Sequence, residues 1–138
     1  MKKVICTSGY FNPLHVGHLE YLEKAKALGG RLIVIVNTDE QVKLKGSYPF
    51  MNQEDRLRIV KALKCVDEVF LSIDKDKSVC KSLDFIRPDI FANGGDRIVD
   101  NIPEKEICEK LGIKIIDGLG KKIRYSSKLI AKSQSLNT

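Results

Sequence analysis

Arg31-Leu32-Ile33-Val34-Ile35-Val36-Asn37 is an almost continuous apolar run. A strand with one wet face alternates apolar and polar residues, so an unbroken run is the pattern of a strand covered on both sides in a parallel sheet. Gly29-Gly30 stands just before it and ends a stretch, residues 16–28, in which Leu19, Leu22, Ala25 and Leu28 recur on one helical face. Further upstream, residues 2–8 read Lys-Lys-Val-Ile-Cys-Thr-Ser, a second buried strand. Strand, helix and strand together make a βαβ unit.

The same alternation continues downstream. Residues 38–51 break into a polar stretch, long for a connection in a compact domain, which predicts a loop able to act as a lid. Asn52 is placed to cap a helix running to residue 64, with Glu54 and Asp55 in its first turn. A strand is predicted over 67–72, a helix over 77–86 stopped by Arg87-Pro88, and a strand over 89–93. Pro103 opens a helix to residue 111 that Gly112 ends, 113–117 form a fifth strand, and the segment 118–127 leads into a last helix. The predicted fold is a single-domain α/β, Rossmann-like five-stranded parallel sheet of order 3-2-1-4-5 with helices on both faces, over residues 1–134 with a frayed tail at 135–138. In that order the sheet reverses direction between its first and fourth strands, and a ligand belongs in the crevice beyond their carboxyl ends.

Composition sets the outer limits. A chain of 138 residues is long enough for one core without staples, and 43% hydrophobic with 30% charged residues is ordinary for a soluble protein. No apolar run approaches 18 residues, and the start runs directly into a strand, so a cytoplasmic protein with no membrane segment is expected. Cys6, Cys65, Cys80 and Cys108 are far apart inside predicted elements and read as small buried hydrophobes. A net charge of +6 favours an anionic ligand without choosing which.

The chemistry concentrates in Gly9-Tyr10-Phe11-Asn12-Pro13-Leu14-His15-Val16-Gly17-His18, where the first strand turns into the first helix. The first N–H groups of a helix lack internal partners and the dipole is positive there, so an anion is stabilised at this end. His15 and His18 are three apart, on one face of the first turn, and Gly17 between them lets a ligand approach the backbone. A zinc site would need three or four ligands, and the chain has no other histidine. No GxGxxG follows a strand and no GxxxxGK[ST] occurs, which sets aside the dinucleotide and P-loop patterns.

His15-Val16-Gly17-His18, preceded by Gly9, Tyr10 and Phe11, resembles the HxGH signature of the cytidylyltransferase-like nucleotidyltransferases, and the likeness extends over nearly the whole chain. The resemblance implies attack by a phosphorylated small molecule, a polyol or sugar phosphate, on the α-phosphate of CTP or ATP with loss of pyrophosphate, CTP being the slightly favoured donor. The nucleophile is then already an anion, so the task is electrostatic: charge grows on the α-phosphate and leaving-group oxygens, and positive groups must meet it. His15 and His18 would donate to those oxygens. Lys45, before Gly46, is similar to the mobile phosphate-binding lysine of the family, and Lys43 lies in the same stretch. Arg56 resembles the family arginine that contacts the substrate or triphosphate, whereas Arg58 faces elsewhere.

Gly94-Gly95-Asp96 looks like the family loop whose backbone and carboxylate hold the nucleoside, and Ser126 with Ser127 resemble the hydroxyl pair at the last helix that binds the β- and γ-phosphates. The arginine that usually precedes that pair falls on Gly120, leaving Lys121, Lys122 or Arg124 to supply the charge, with Arg124 our choice. Asn12 and Tyr10 also depart from the usual residues. The resemblance further implies magnesium (Mg2+) as the triphosphate counter-ion, with no protein metal site, and a homodimer pairing near the first helix. Within the family the heptose-phosphate adenylyltransferases and FAD synthetases are alternatives. A nucleic-acid-binding module built on the basic segment 121–132 is the alternative of another class, disfavoured because Tyr125 is its one aromatic.

Overall fold

The computed structural model describes residues 3–94 and 102–119. Five parallel strands, β1 (Val4–Gly9), β2 (Arg31–Val36), β3 (Glu68–Leu71), β4 (Ile90–Gly94) and β5 (Lys114–Leu119), form one sheet in the order β3-β2-β1-β4-β5. Between them run α1 (Val16–Ala27), α2 (Asp39–Leu44), α3 (Gln53–Lys61), α4 (Cys80–Ile86) and α5 (Lys105–Leu111). Strand order and class are those expected from the alternation of patterns.

The run at 31–37 shows why such strands must be apolar throughout. Leu32, Val34 and Val36 pack into a core with Tyr21, Leu22 and Ala25 of α1 and Val60 of α3, while Ile35 packs on the opposite side with Leu83 of α4 and Cys108 of α5. Successive side chains leave a strand on opposite faces, and here both faces are cores. The four cysteines are free; Cys6 and Cys108 are buried, and burial pushes both thiols upward, as suits packing residues.

Several boundaries differ from the sequence expectation, among them the start of α5, at Lys105 instead of Pro103. The stretch 38–51 is not all loop: α2 occupies Asp39–Leu44, with Thr38 accepting from the Gln41 N–H at 3.1 Å and the Gln41 side chain accepting from the Thr38 N–H at 3.0 Å. That reciprocal capping box offsets the polar composition. The fourth helix begins at Cys80 instead of residue 77, because Asp74 accepts from the N–H groups of Lys81 and Ser82 and fixes the first turn there. The third helix also stops early, at Lys61, with Ala62 as its C-cap. The last helix and the tail lie outside the described residues. Among the described residues no helix is long and apolar enough to cross a membrane.

Candidate active site

The β1–α1 junction lies at the carboxyl edge of the sheet, next to β4, where the strand order turns. His15 is the N-cap of α1, and its Nδ1 accepts the Gly17 N–H at 3.0 Å. His18, at the third helical position, returns its own Nδ1 to the His15 N–H at 3.2 Å. This is a capping box built from two imidazoles in place of the usual hydroxyl and carboxylate. The rings stack with centroids 3.9 Å apart and planes 24° from parallel.

The caps fix the tautomers. A ring whose Nδ1 accepts a hydrogen bond carries its neutral-state proton on Nε2, so both rings hold Nε2–H groups at the ends facing away from the helix backbone. Burial, then the neighbouring His15 and the Lys45 ammonium, hold His18 down to about 3. His18 is therefore a neutral donor at any physiological pH. One expectation changes: the N–H groups of Gly17, His18 and Leu19 all bond to His15, at its ring or its carbonyl, so this helix end offers an anion its dipole and its imidazoles more than free backbone donors.

Other residues converge on this pair. Phe11 is buried, with its ring edge-on to His18 at 5.1 Å between centroids, so it supports the imidazole from the core. Gly9 has no room for a side chain, since a Cβ there would lie 2.7 Å from the Phe11 ring. Lys45, the C-cap of α2, places its Nζ 4.0 Å from the centre of the Tyr10 ring. Lys43 is placed differently: its exposed side chain pairs with Glu40 at 3.4 Å.

Arg56 stands behind the site, fully buried. Its guanidinium donates to the carbonyls of Met51 (3.0 Å), Tyr10 (2.8 Å) and Asn37 (2.6 Å) and to Asp39 Oδ1 (2.7 Å). Four of its roughly five N–H donors are committed to protein acceptors, so the expected direct contact with substrate gives way to a positioning task. It joins the segment after β1, the end of β2, the start of α2 and the entry to α3.

Sequence reasoning missed two more connectors. The Asn12 side-chain amide donates to the Tyr48 carbonyl at 2.7 Å and accepts from the Phe50 N–H at 2.8 Å, tying the segment after α2 to the histidine loop. Gln41, buried, donates to the carbonyls of Asp76 and Ser78 and accepts from Asn37. Thr38 three residues before Gln41 was the available signal for the latter; a single asparagine in a loop carries none. Gly94 ends β4 beside this edge, while Gly95, Asp96, Lys121, Lys122, Arg124, Ser126 and Ser127 lie outside the described residues. Among the described residues no three His, Cys, Asp or Glu side chains gather as a metal site.

Comparison with known proteins agrees with this geometry. The sequence model of the cytidylyltransferase-like family matches residues 6–131. The chain is 39% identical over 138 residues to the bifunctional protein HldE of Citrifermentans bemidjiense, which covers 95% of this chain but 27% of that protein; it thus spans about a quarter of such relatives. It is 44% identical over 114 residues to the FAD synthase of Ferroglobus placidus, covering 83% of this chain and 72% of that one. The crystal structure of a lipopolysaccharide core biosynthesis protein from Thermoplasma volcanium superposes with a TM-score of 0.76 at 28% identity, over 88% of this chain and 100% of that one. A capped histidine pair at the switch point, a family model matching almost end to end and a relative matched over most of its own length agree: the chain belongs to the cytidylyltransferase-like family of nucleotidyltransferases.

Proposed function

We propose that the chain transfers AMP from ATP to the phosphate of a small acceptor, releasing pyrophosphate. The supporting observation is the imidazole pair, neutral, stacked and locked with both Nε2–H groups directed away from α1. An acceptor phosphate oxygen forms a bond to the α-phosphorus while the bond from that phosphorus to the bridging oxygen breaks, and the electron pair leaves with pyrophosphate. No proton has to be removed from the nucleophile. Donors prearranged for the growing charge are what the step needs, and neutral imidazoles supply them without any change of protonation.

ATP replaces CTP as the favoured donor, because a relative matched over most of its length is named for a product with an adenosine half. Lys45 would leave the Tyr10 ring for the triphosphate, with Gly46, whose φ of 85° suits glycine, as the adjoining turn. In this proposal Gly94, Gly95 and Asp96 hold the nucleoside, Gly17 lets the phosphates approach, and Ser126, Ser127 and Arg124 meet the β- and γ-phosphates. Magnesium, when bound, would be held mainly by the triphosphate and would supply charge neutralisation there. A sugar phosphate as acceptor is the second possibility, favoured by the likeness to the lipopolysaccharide core biosynthesis protein. Two copies pairing near α1 remain part of the proposal; a monomer in sedimentation equilibrium ends that part.

The test is pyrophosphate release with each of four nucleoside triphosphates against phosphorylated polyols, sugars, choline and FMN. ATP with one acceptor class should give the highest rate. No release with any combination overturns the proposal.

A further inference from the structure

Asn93 is the fourth residue of β4 and only 1% exposed, yet its side-chain Nδ2 has no hydrogen-bond partner among the described residues. A buried amide donor left unpaired destabilises a fold, and an apolar side chain of the same branching would avoid the loss. Such a group makes physical sense where a bound molecule completes it.

The strands on both flanks leave Asn93 unpaired. β1 and β4 pair at Ile5–Ile90 and Cys6–Phe91, and the last of these pairs lies two residues short of Asn93. On the other flank the register with β5 slips: Ala92 is opposite Ile116 but Gly94 is opposite Leu119, so Asp117 and Gly118 together face Asn93. Gly118 takes a φ of 75°, and both residues of this bulge are exposed. Bulges interrupt pairing and re-aim side chains beside binding sites. Here the interruption falls between an unpaired amide and an open edge strand.

The position relative to the histidine pair decides which part of a nucleotide arrives there. Phe91, two residues earlier on the same face of β4, belongs to the core with Leu83 of α4 and Cys108 of α5. Ala92 belongs to the core with Leu22 of α1, in which Phe11 supports His18. Asn93 is thus on the opposite side of the sheet edge from the imidazoles. With the α-phosphate at His15 and His18 and the ribose at the loop that Gly94 begins, the base is the part farthest from β1. It comes to β4 and β5.

The chemistry of the group then sorts the bases. A carboxamide has one donor end and one acceptor end. Adenine meets both along one edge, its N7 accepting and its 6-amino group donating, which is the two-bond pairing that asparagine makes with this base. Hypoxanthine presents acceptors at both places, and a pyrimidine has no such edge.

We propose that Asn93 selects the nucleotide by its base, donating from Nδ2 to N7 of adenine and accepting from the 6-amino group at Oδ1. The assignment rests on the ATP reading above and adds a side chain that enforces it.

Binding without acceptor tests it on the full chain. ATP, ITP and 7-deaza-ATP are each titrated with magnesium in a calorimeter. Wild type should bind ATP roughly ten- to a hundredfold more tightly than either analogue, the range of one two-bond base contact. Asn93→Leu should bind all three alike, at the affinity wild type has for ITP. In the ligand-free chain Asn93→Leu should hold or raise the melting temperature, because an unpaired donor is removed; Asn93→Ala repeats the titrations if the leucine variant does not fold. Equal affinity of wild type for ATP and either analogue overturns the proposal. So does discrimination that survives in the variants, or a lower melting temperature in both, which would give the amide a structural partner. Pyrophosphate released equally well from ATP and ITP ends the base assignment and leaves the transfer reaction standing. Discrimination lost in the variants of a chain that releases no pyrophosphate from any triphosphate keeps the base site and removes the transfer reaction.

Discussion

Arg56 and Asp39 form an ion pair of 2.7 Å in which the arginine is fully buried and the aspartate is the first residue of α2. The remaining guanidinium bonds go to carbonyls of Tyr10, Asn37 and Met51, so one side chain holds four segments around the histidine loop. A lysine keeps the charge but lacks the planar fork and has too few donors for four acceptors. Arg56→Lys should therefore destabilise the fold by about 2–4 kcal/mol, the range for leaving buried acceptors and a buried partner unsatisfied. Urea unfolding at unchanged m-value is the measurement. If stability is intact and only the KM for ATP rises, the arginine contacts ligand and its positioning task is wrong.

The imidazoles of His15 and His18 serve both the helix cap and, in the proposed reaction, the α-phosphate, and substitutions can part the two. Asparagine at a helix start accepts backbone N–H bonds about as well as any residue. His15→Asn should keep the cap, holding the melting temperature near wild type, and lose roughly a hundredfold or more in kcat, the effect of removing one oxyanion donor. His18→Ala should lose a similar rate together with about 1 kcal/mol of stability, as its bond to the His15 N–H goes. Near-wild-type kcat in either variant, with the fold intact, would remove the histidines from the chemistry.

His18 also predicts a pH signature. Its folded pKa of about 3 lies below the ordinary 6.5 through burial, then His15 and Lys45. The unfolded chain takes up a proton near pH 6.5 while the native ring does not, so the stability linked to this group is complete above that pH and is lost as pH falls toward 3, by at most about 1.4 kcal/mol per pH unit. Nitrogen NMR of the ring should show a neutral Nε2–H tautomer with no titration between pH 8 and about 5. A midpoint near its ordinary value would refute the assignment.

How much of this was legible in the sequence depends on whether the signal was local. The unbroken run at Leu32–Val36 announced a two-sided strand because burial on both faces acts residue by residue, and the strand order followed from handed crossovers. The histidine pair was legible as a motif at a strand-to-helix turn, but its geometry was not: His15 is the N-cap with an extended backbone, and the two rings meet through the reciprocal cap instead of a shared helical face. The sequence did not reveal that Arg56 turns inward, because three of its four acceptors are backbone carbonyls from segments up to 46 residues away, and carbonyls have no letter in a sequence. Asn12 is the same case: its bonds to Tyr48 and Phe50 cross 36 and 38 residues. Lys43 and Lys45 look alike in the chain, and only the end of α2 separates them, one held by Glu40 and the other over Tyr10.

Lys45 over the Tyr10 ring should behave as a resting ammonium. Tyr10→Leu removes the ring and should cost only about 0.5–1 kcal/mol of stability, the worth of an exposed cation–π contact. Lys45→Ala should raise the KM for ATP and lower kcat while leaving the melting temperature within about 2 °C, since surface contacts carry little stability. A loss of fold in Lys45→Ala would mean that the side chain is structural.

Gly9 tests whether the core sets the catalytic geometry. Its place in the motif suggests room for a phosphate, but the structure puts the Phe11 ring over it: a Cβ would meet three ring atoms at 2.7, 2.9 and 3.0 Å. The ring has little freedom to yield. It is 1% exposed within the α1-side core, its residue has a φ of 51°, and its edge abuts His18. Gly9→Ala must therefore either strain the core, at about 1–3 kcal/mol for overpacking, or push Phe11 against the imidazole. Both routes lower kcat, because the proposed donors lose their set orientation. The expected result is a lower melting temperature together with a fall in kcat of tenfold or more and little change in the KM for ATP. Full activity at wild-type stability would show that Phe11 can move without disturbing His18, and the support assigned to the phenylalanine would be lost.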